Sequence, residues 1–289
     1  MPFNKIKIIN NRVYKQHRKR RSYETELKAL TMCENHPFVC KVLGSFVKDD
    51  TSFNIILEEA EYGDLFSLLE SHGPSENVSA YIGKSLVLAL DFMQRQFNLS
   101  HRDIKLENVV LTQRGVVQLI DFELCTFRTV SKSSVGTITY MAPELLQKKH
   151  YVCNHADIWS LGVTCFILAL GKRPYNEPNE RSRFKGDDAW LDIFLAMIFQ
   201  EQWSRFWGRL MLKKIPSDDL KEFIQHTVCL KRTSYDTLLA LAFLDTDFTR
   251  IDMVRVMQKK TMIKNRPQST EHICLSSEPL LEKIQLQLR

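Results

Sequence analysis

The sequence predicts an α+β chain in which a small β-rich part precedes a larger helical part. Three observations carry that reading. Short segments of strand-like character lie at residues 1–10, Val39 to Phe46 and Phe53 to Leu57. From about residue 60 onward the apolar residues recur mostly at helical spacing. The chain is 289 residues long and 44% apolar, which is enough to bury the core of one large domain or of two lobes.

Taken in order, Lys5-Ile6-Lys7-Ile8-Ile9 alternates and reads as the first strand. A basic stretch follows, holding Arg12, Lys15, Arg18, Lys19, Arg20 and Arg21, and its last four residues read as a solvated loop. A helix is expected from about Tyr23 to Cys33, with Leu27 and Leu30 on one face, and His36-Pro37 breaks it. The boundary between the two parts falls near Glu59 to Gly63. The clearest helix, Glu76 to Phe92, carries the stripe Val78, Ile82, Leu86, Ala89, Leu90 and Met93. Residues Val109 to Phe122 read as a hairpin region with Arg114-Gly115 at its tip, and residues 123–141 as an exposed loop. Helices are expected from Pro143 on, including an aromatic stretch with Phe184, Trp190, Phe194, Phe199, Trp203 and Trp207. The tail from 261 ends in a short amphipathic segment, Leu280 to Leu288.

Composition excludes several classes. The seven cysteines are scattered, odd in number and never in C-x-x-C pairs, which argues against a disulfide framework or a zinc site and for a reducing compartment. No leader-like segment opens the chain, and the apolar run Ile158 to Leu170 is short for a membrane span, so no membrane partner is expected. A charge of +6 on a chain this long does not by itself point to nucleic acid, and no nucleic-acid partner is expected.

One segment carries chemistry. His101-Arg102-Asp103-Ile104-Lys105-Leu106-Glu107-Asn108 holds a carboxylate able to accept a hydroxyl proton, a cation two residues on able to steady a phosphoryl group, and an amide five residues on able to bind Mg²⁺. It resembles the protein-kinase catalytic loop, with lysine in the place that marks the serine/threonine type. Asp121-Phe122-Glu123 resembles D-F-G, and Gly136 to Glu144 resembles the segment ending in A-P-E. Asp157-Ile158-Trp159-Ser160-Leu161-Gly162 resembles the start of the central helix of a kinase large lobe, whose aspartate braces the catalytic loop. The matches keep the family's order and cover nearly all of residues 1–260, with a loose likeness to calmodulin-dependent and checkpoint-type kinases.

The resemblance implies a bilobal protein-kinase-like fold. A small β-rich lobe (1–59) would lack the glycine-rich loop, a larger helical lobe would span 60–260, and a C-terminal tail would span 261–289. It implies ATP and Mg²⁺ as cofactors. Asp103, Lys105 and Asn108 would be catalytic, and Asn108 and Asp121 would hold the metal. Lys7, Glu26, Glu58, Ala60, Val110 and Asp121 would bind the nucleotide, with Lys7 on the phosphates through an ion pair to Glu26, the hinge at Glu58-Glu59-Ala60, and Leu57 guarding the back pocket. Leu30, Val42, His101 and Phe122 would form a column linking the lobes. Thr137 would hydrogen-bond near the catalytic aspartate, and Arg250 would pair with Glu144. Protein substrates are implied, with Asp64 and Glu107 gripping basic residues upstream of the target Ser or Thr. Ser133 would accept a phosphate from an activating kinase, to dock on Arg102. The expected location is cytoplasmic, or nuclear.

Two departures bear on activity. Only six residues precede Lys7 and none is Gly, so the first two strands and the glycine-rich loop of the family are missing, as in a fragment or a degenerate kinase. Lys5 stands where the family has a small alanine, and Glu123 replaces the glycine of D-F-G. The rival reading is a catalytically impaired pseudokinase that acts as a scaffold.

Overall fold

The computed structural model describes residues 5–9, 11–147, 149–175, 202–210, 212 and 214–264. The aromatic positions Phe184, Trp190, Phe194 and Phe199, and the segment Leu280 to Leu288, lie outside the described residues.

The small lobe is a four-stranded antiparallel sheet in the order β1-β2-β4-β3. Its strands are β1 (Lys5–Ile9), β2 (Arg12–His17), β3 (Val42–Asp49) and β4 (Ser52–Glu58). The expected solvated loop, Arg18 to Arg21, follows β2, and its last two residues already belong to the next helix. On β2, side chains at successive odd positions share one face, and Lys15 and His17 on that face are both buried. The polar face hid the strand from a hydropathy pattern. Its hydrogen-bond register, Arg12 opposite Glu58 through His17 opposite Phe53, leaves no ambiguity. Of the two strands expected to be missing ahead of the lysine strand, one is accounted for, since β1 pairs with β2, the strand that carries Lys15.

One helix, α1 (Arg20–Met32), packs against the sheet. Its buried face is Tyr23, Glu26, Ala29 and Leu30, a helical repeat interrupted by a carboxylate. Only Arg18 and Lys19 lie between β2 and α1.

The large lobe is built around two antiparallel-packed core helices, α3 (Glu76–Phe97) and α5 (Cys153–Leu170). Helix α3 starts at Ser75, whose hydroxyl accepts the Val78 N–H, and stops at Asn98 in the left-handed region. Helix α5 is apolar and long enough to cross a membrane, yet 83% of it is buried inside the lobe, as a core helix is. Among the described residues, the lobe also holds the shorter helices α2 (Leu65–His72), α4 (Pro143–Leu146), α6 (Trp203–Arg209), α7 (Asp218–Thr227), α8 (Tyr235–Leu239) and α9 (Arg250–Lys264). The tail boundary drawn at 260 falls inside α9.

Between the lobes lies the hairpin β5 (Val109–Leu111) and β6 (Val117–Leu119). It is tied on both edges. Cys40 N–H donates to Leu119 O and Leu119 N–H to Phe38 O, while Tyr62 N–H donates to Leu111 O and Leu111 N–H to Gly63 O. The small lobe thereby fixes the strand that delivers Asp121. Within residues 123–141, read as loop, the structure adds β7 (Val130–Ser131), paired with β8 (Tyr151–Val152).

The partner of Glu144 is Arg232, not Arg250. Arg232 Nη1 lies 2.7 Å from Glu144 Oε1 and Nη2 3.0 Å from Oε2, and the guanidinium sits 5.0 Å from the Trp159 ring centroid. Arg250 instead opens α9 beside the hairpin tip at Gly115. A forked pair this well buried leaves a stranded carboxylate when it is broken. Arg232→Ala is therefore expected to cost about 3 kcal/mol of unfolding free energy in urea titration, and Arg250→Ala about 0.5 kcal/mol or less.

Candidate active site

The catalytic loop is held from below by α5. Asp157 accepts the backbone N–H of His101 and of Arg102, both at 2.7 Å. Burial pushes its carboxyl up to about 7, against the pull of those two donors toward the ionised form. The two bonds pin Arg102 in the left-handed region at φ 67°, which a non-glycine residue takes only under constraint. Gly136, at φ 108°, passes so close that a Cβ there would come within 2.7 Å of Arg102 O.

Asp103 sits at the centre of a converging set. Thr137 donates to its Oδ1 through both N–H and hydroxyl, each at 3.0 Å. Lys105 Nζ lies 2.8 Å from Oδ2 and donates to Thr137 Oγ1 at 2.9 Å. Asn108 donates its amide to Asp103 O at 2.9 Å and to Oδ2 at 3.0 Å. Asp103, Lys105, Asn108 and Thr137 are thus brought together as their sequence positions imply.

The lysine that meets Glu26 is Lys15, not Lys7. Lys7 lies one strand further out on β1, with Tyr14 as its backbone partner. Lys15 Nζ is 2.8 Å from both Glu26 oxygens and 2.7 Å from Asp121 Oδ1. Burial alone would lower the lysine's pKa, but the two carboxylates outweigh it and raise it. Asp121 is drawn down to about 2, since Lys15, His101 and Lys105 overcome the cost of burial. The alternation Ile6-Lys7-Ile8-Ile9 resembles the family's lysine strand, but the lysine that meets Glu26 stands on β2, among basic residues. A sequence signal existed: Val13, Lys15 and His17 alternate toward one face, and Val13, not Lys5, stands two residues before the lysine.

The sheet register places the residues expected to line a nucleotide slot. Val13 lies opposite Leu57 on β2–β4, and Val42 opposite Leu57 on β3–β4. Leu57 and Val110 are buried, Val110 bridging to Asp64 from below. Glu58 ends β4, its N–H spent on Lys41 O, and Ala60 follows in the connector, its carbonyl accepting Gly63 N–H. The lobes are also joined by a packed column. The His101 and Phe122 rings meet edge to face at 4.7 Å, both fully buried with Leu30. Burial holds the His101 imidazole below its usual pKa and so favours the neutral ring.

Asn108 and Asp121 fit a divalent cation. Lys15 engages only Oδ1 of Asp121, and Asn108 donates through nitrogen, so each side chain retains an oxygen. Two protein oxygens suit Mg²⁺, which takes its other ligands from phosphates and water. Glu123 sits in a single helical turn, Phe122–Leu124, and is absent from the residues at positive φ, so this conformation does not need glycine there.

Two other expectations are placed differently. Asp64 is buried and its carboxylate caps α2 by accepting Ser67 N–H at 2.8 Å, so it is spent on structure. Arg102 Nη1 reaches the Ser131 hydroxyl at 3.4 Å, while Ser133 is tied through its backbone, its N–H to Ser131 Oγ and its carbonyl to Tyr151.

The two lysines make a direct comparison. Lys15→Met is expected to lower phosphoryl transfer by about 10²-fold or more, with Lys7→Met within about twofold of wild type, measured with Mg-ATP and a peptide substrate.

The protein kinase domain model matches residues 4–244. Among curated proteins the chain is similar to the serine/threonine-protein kinase CHK1 of Saccharomyces cerevisiae, 34% identical over 53% of this chain and 31% of that protein. It is similar to the Aurora kinase of the same yeast, 33% identical over 65% of this chain and 50% of that protein. It is also similar to the CBL-interacting serine/threonine-protein kinase 9 of Arabidopsis thaliana, 31% identical over 62% of this chain and 41% of that protein. The matched segments thus span about a third to a half of these relatives. Protein kinases act on protein substrates with ATP, typically with Mg²⁺. The chain belongs to the protein kinase domain family, of the serine/threonine type.

Proposed function

We propose that this chain transfers the γ-phosphoryl group of ATP to serine or threonine hydroxyls of proteins, directly and in line. The observation that carries the reading is the convergence on Asp103 of Lys105, Asn108 and Thr137, beside a Lys15–Glu26–Asp121 cluster. Lys15 positions the phosphates. Asp103 orients the hydroxyl and accepts its proton as the new O–P bond forms and the bond to the leaving ADP oxygen breaks. Lys105 steadies the charge on the transferred group, and Thr137 fixes the Asp103 carboxylate. A Mg²⁺ ion held by Asn108 and Asp121 would neutralise phosphate charge. Six charged or amide groups kept in working geometry favour a transferase over a scaffold, and Glu123 imposes no backbone conflict.

Basic residues upstream of the target fit Glu107. Its Oε2 is buried and has no hydrogen-bond partner among the described residues, which a guanidinium could supply. An activating phosphate fits Ser131, the hydroxyl nearest Arg102, ahead of Ser133. The six described cysteines are free thiols, which fits a reducing compartment, the cytoplasm or the nucleus.

The test is phosphate transfer from Mg-ATP to an arginine-containing serine peptide. Asp103→Asn should lower kcat by about 10²- to 10⁴-fold while Mg-ATP binding and melting temperature hold. Wild-type turnover in that variant would sink the reading. Glu107→Gln should reduce the preference for arginine over alanine upstream of the serine by about tenfold, read from kcat/KM for the two peptides.

A further inference from the structure

The buried face of β2 carries a second polar side chain, and the phosphate site described above makes no use of it. His17 stands two residues after Lys15 and is completely buried. Its Nε2 lies 2.8 Å from Glu26 Oε2. At that separation a bare nitrogen lone pair would face an anionic oxygen, so Nε2 must carry a proton. Neither His17 Nε2 nor Nδ1 completes a well-aligned hydrogen bond among the described residues, and neither does Glu26 Oε2, so the Nε2–Oε2 approach is a close polar contact. The polar ring edge and the carboxylate meet at contact distance in a buried site, where electrostatic attraction is little screened by water. Around the ring stand the Tyr23 ring, edge-on with centroids 6.3 Å apart, and the backbone of Phe53 on β4.

An imidazole buried with neither nitrogen in a hydrogen bond costs free energy that an apolar side chain would avoid. What the polar residue contributes is a second grip on Glu26. Lys15 reaches both oxygens of that carboxylate, Phe122 N–H approaches Oε1 at 3.3 Å, and His17 meets Oε2. Two polar side chains from one strand, two residues apart, hold the carboxylate against β2 at two points. Only Arg18 and Lys19 connect that strand to α1. Rotation of α1 about its axis would have to break both contacts across a two-residue tether.

We infer that His17 is a positioning residue for phosphoryl transfer. It clamps Glu26 of α1 onto β2 and so keeps Lys15 aimed between Glu26 and Asp121 before nucleotide arrives. The inference rests on the kinase reading in one respect, that Lys15 is the phosphate contact.

The test uses the full chain with His17→Leu, His17→Asn and His17→Gln. Gln carries its amide nitrogen to about the place of Nε2, whereas Asn falls short of it. Lys15 acylation by an amine-reactive reagent, without nucleotide and mapped by mass spectrometry, reports how firmly the amine is held. Leu and Asn are expected to label Lys15 about fivefold faster than wild type, and Gln to restore slow labelling. In transfer assays Leu and Asn should lower kcat by a similar factor with KM for the peptide unchanged, and Gln should recover it. Wild-type labelling in folded Leu or Asn variants overturns the inference, as does a Gln variant that labels like Leu. Should Leu fail to fold, Asn against Gln decides. A wild-type chain that neither binds Mg-ATP nor transfers phosphate would overturn the kinase reading alone, since the labelling still decides the role of His17.

Discussion

A buried ammonium group cannot persist without counter-charge, because removing it from water costs several kcal/mol. Lys15 is 6% exposed and meets that demand with two carboxylates from different parts of the chain. Glu26 comes from the helix of the small lobe, and Asp121 from the turn after the inter-lobe hairpin. Much of the remaining architecture follows from keeping those three groups together. Helix α1 must present a charged residue on its buried face. Strand β6 must be anchored at Phe38 and Cys40 so that Asp121 arrives in place.

A second constraint lies below it. Asp157 at the start of the central helix holds two consecutive backbone N–H groups of the catalytic loop, and the loop accepts a left-handed residue in return. That bend brings Asp103, Lys105 and Asn108 to one side, while Gly136 lets the loop carrying Thr137 pass against Arg102 without a Cβ in the way. The strain at Arg102 is thus supported by a buried carboxylate and a glycine, neither of which takes part in the chemistry. Between the two constraints, the edge-to-face contact of His101 and Phe122 links the loop to the turn that bears Asp121.

The charges also sort into working and structural groups by what surrounds them. Asp103 and Asp121 are met by cations on the cleft side. Asp64 is turned into a helix cap, and Arg232 into a packed partner for Glu144 against Trp159. A carboxylate or guanidinium in a family-like position therefore does not announce its role. The hydrogen bonds it already makes decide how much of it is left for a substrate.

Contiguous segments were legible in the sequence. The group from His101 to Asn108 needs only local spacing, since a carboxylate, a cation and an amide within eight residues can share one site whatever lies elsewhere. The long apolar stripe of α3 and the hairpin around Arg114-Gly115 were legible for the same reason: periodicity and turn residues are local properties. The partners of Glu26 and Glu144 were not. Lys15 and Arg232 are chosen by long-range packing, whereas likeness to the family's motifs points to Lys7 and Arg250. Strand β2 shows the cause most clearly. Its inner face holds a lysine and a histidine, so no apolar alternation marks it as a strand, and only the fold supplies the two carboxylates that allow such a face to be buried.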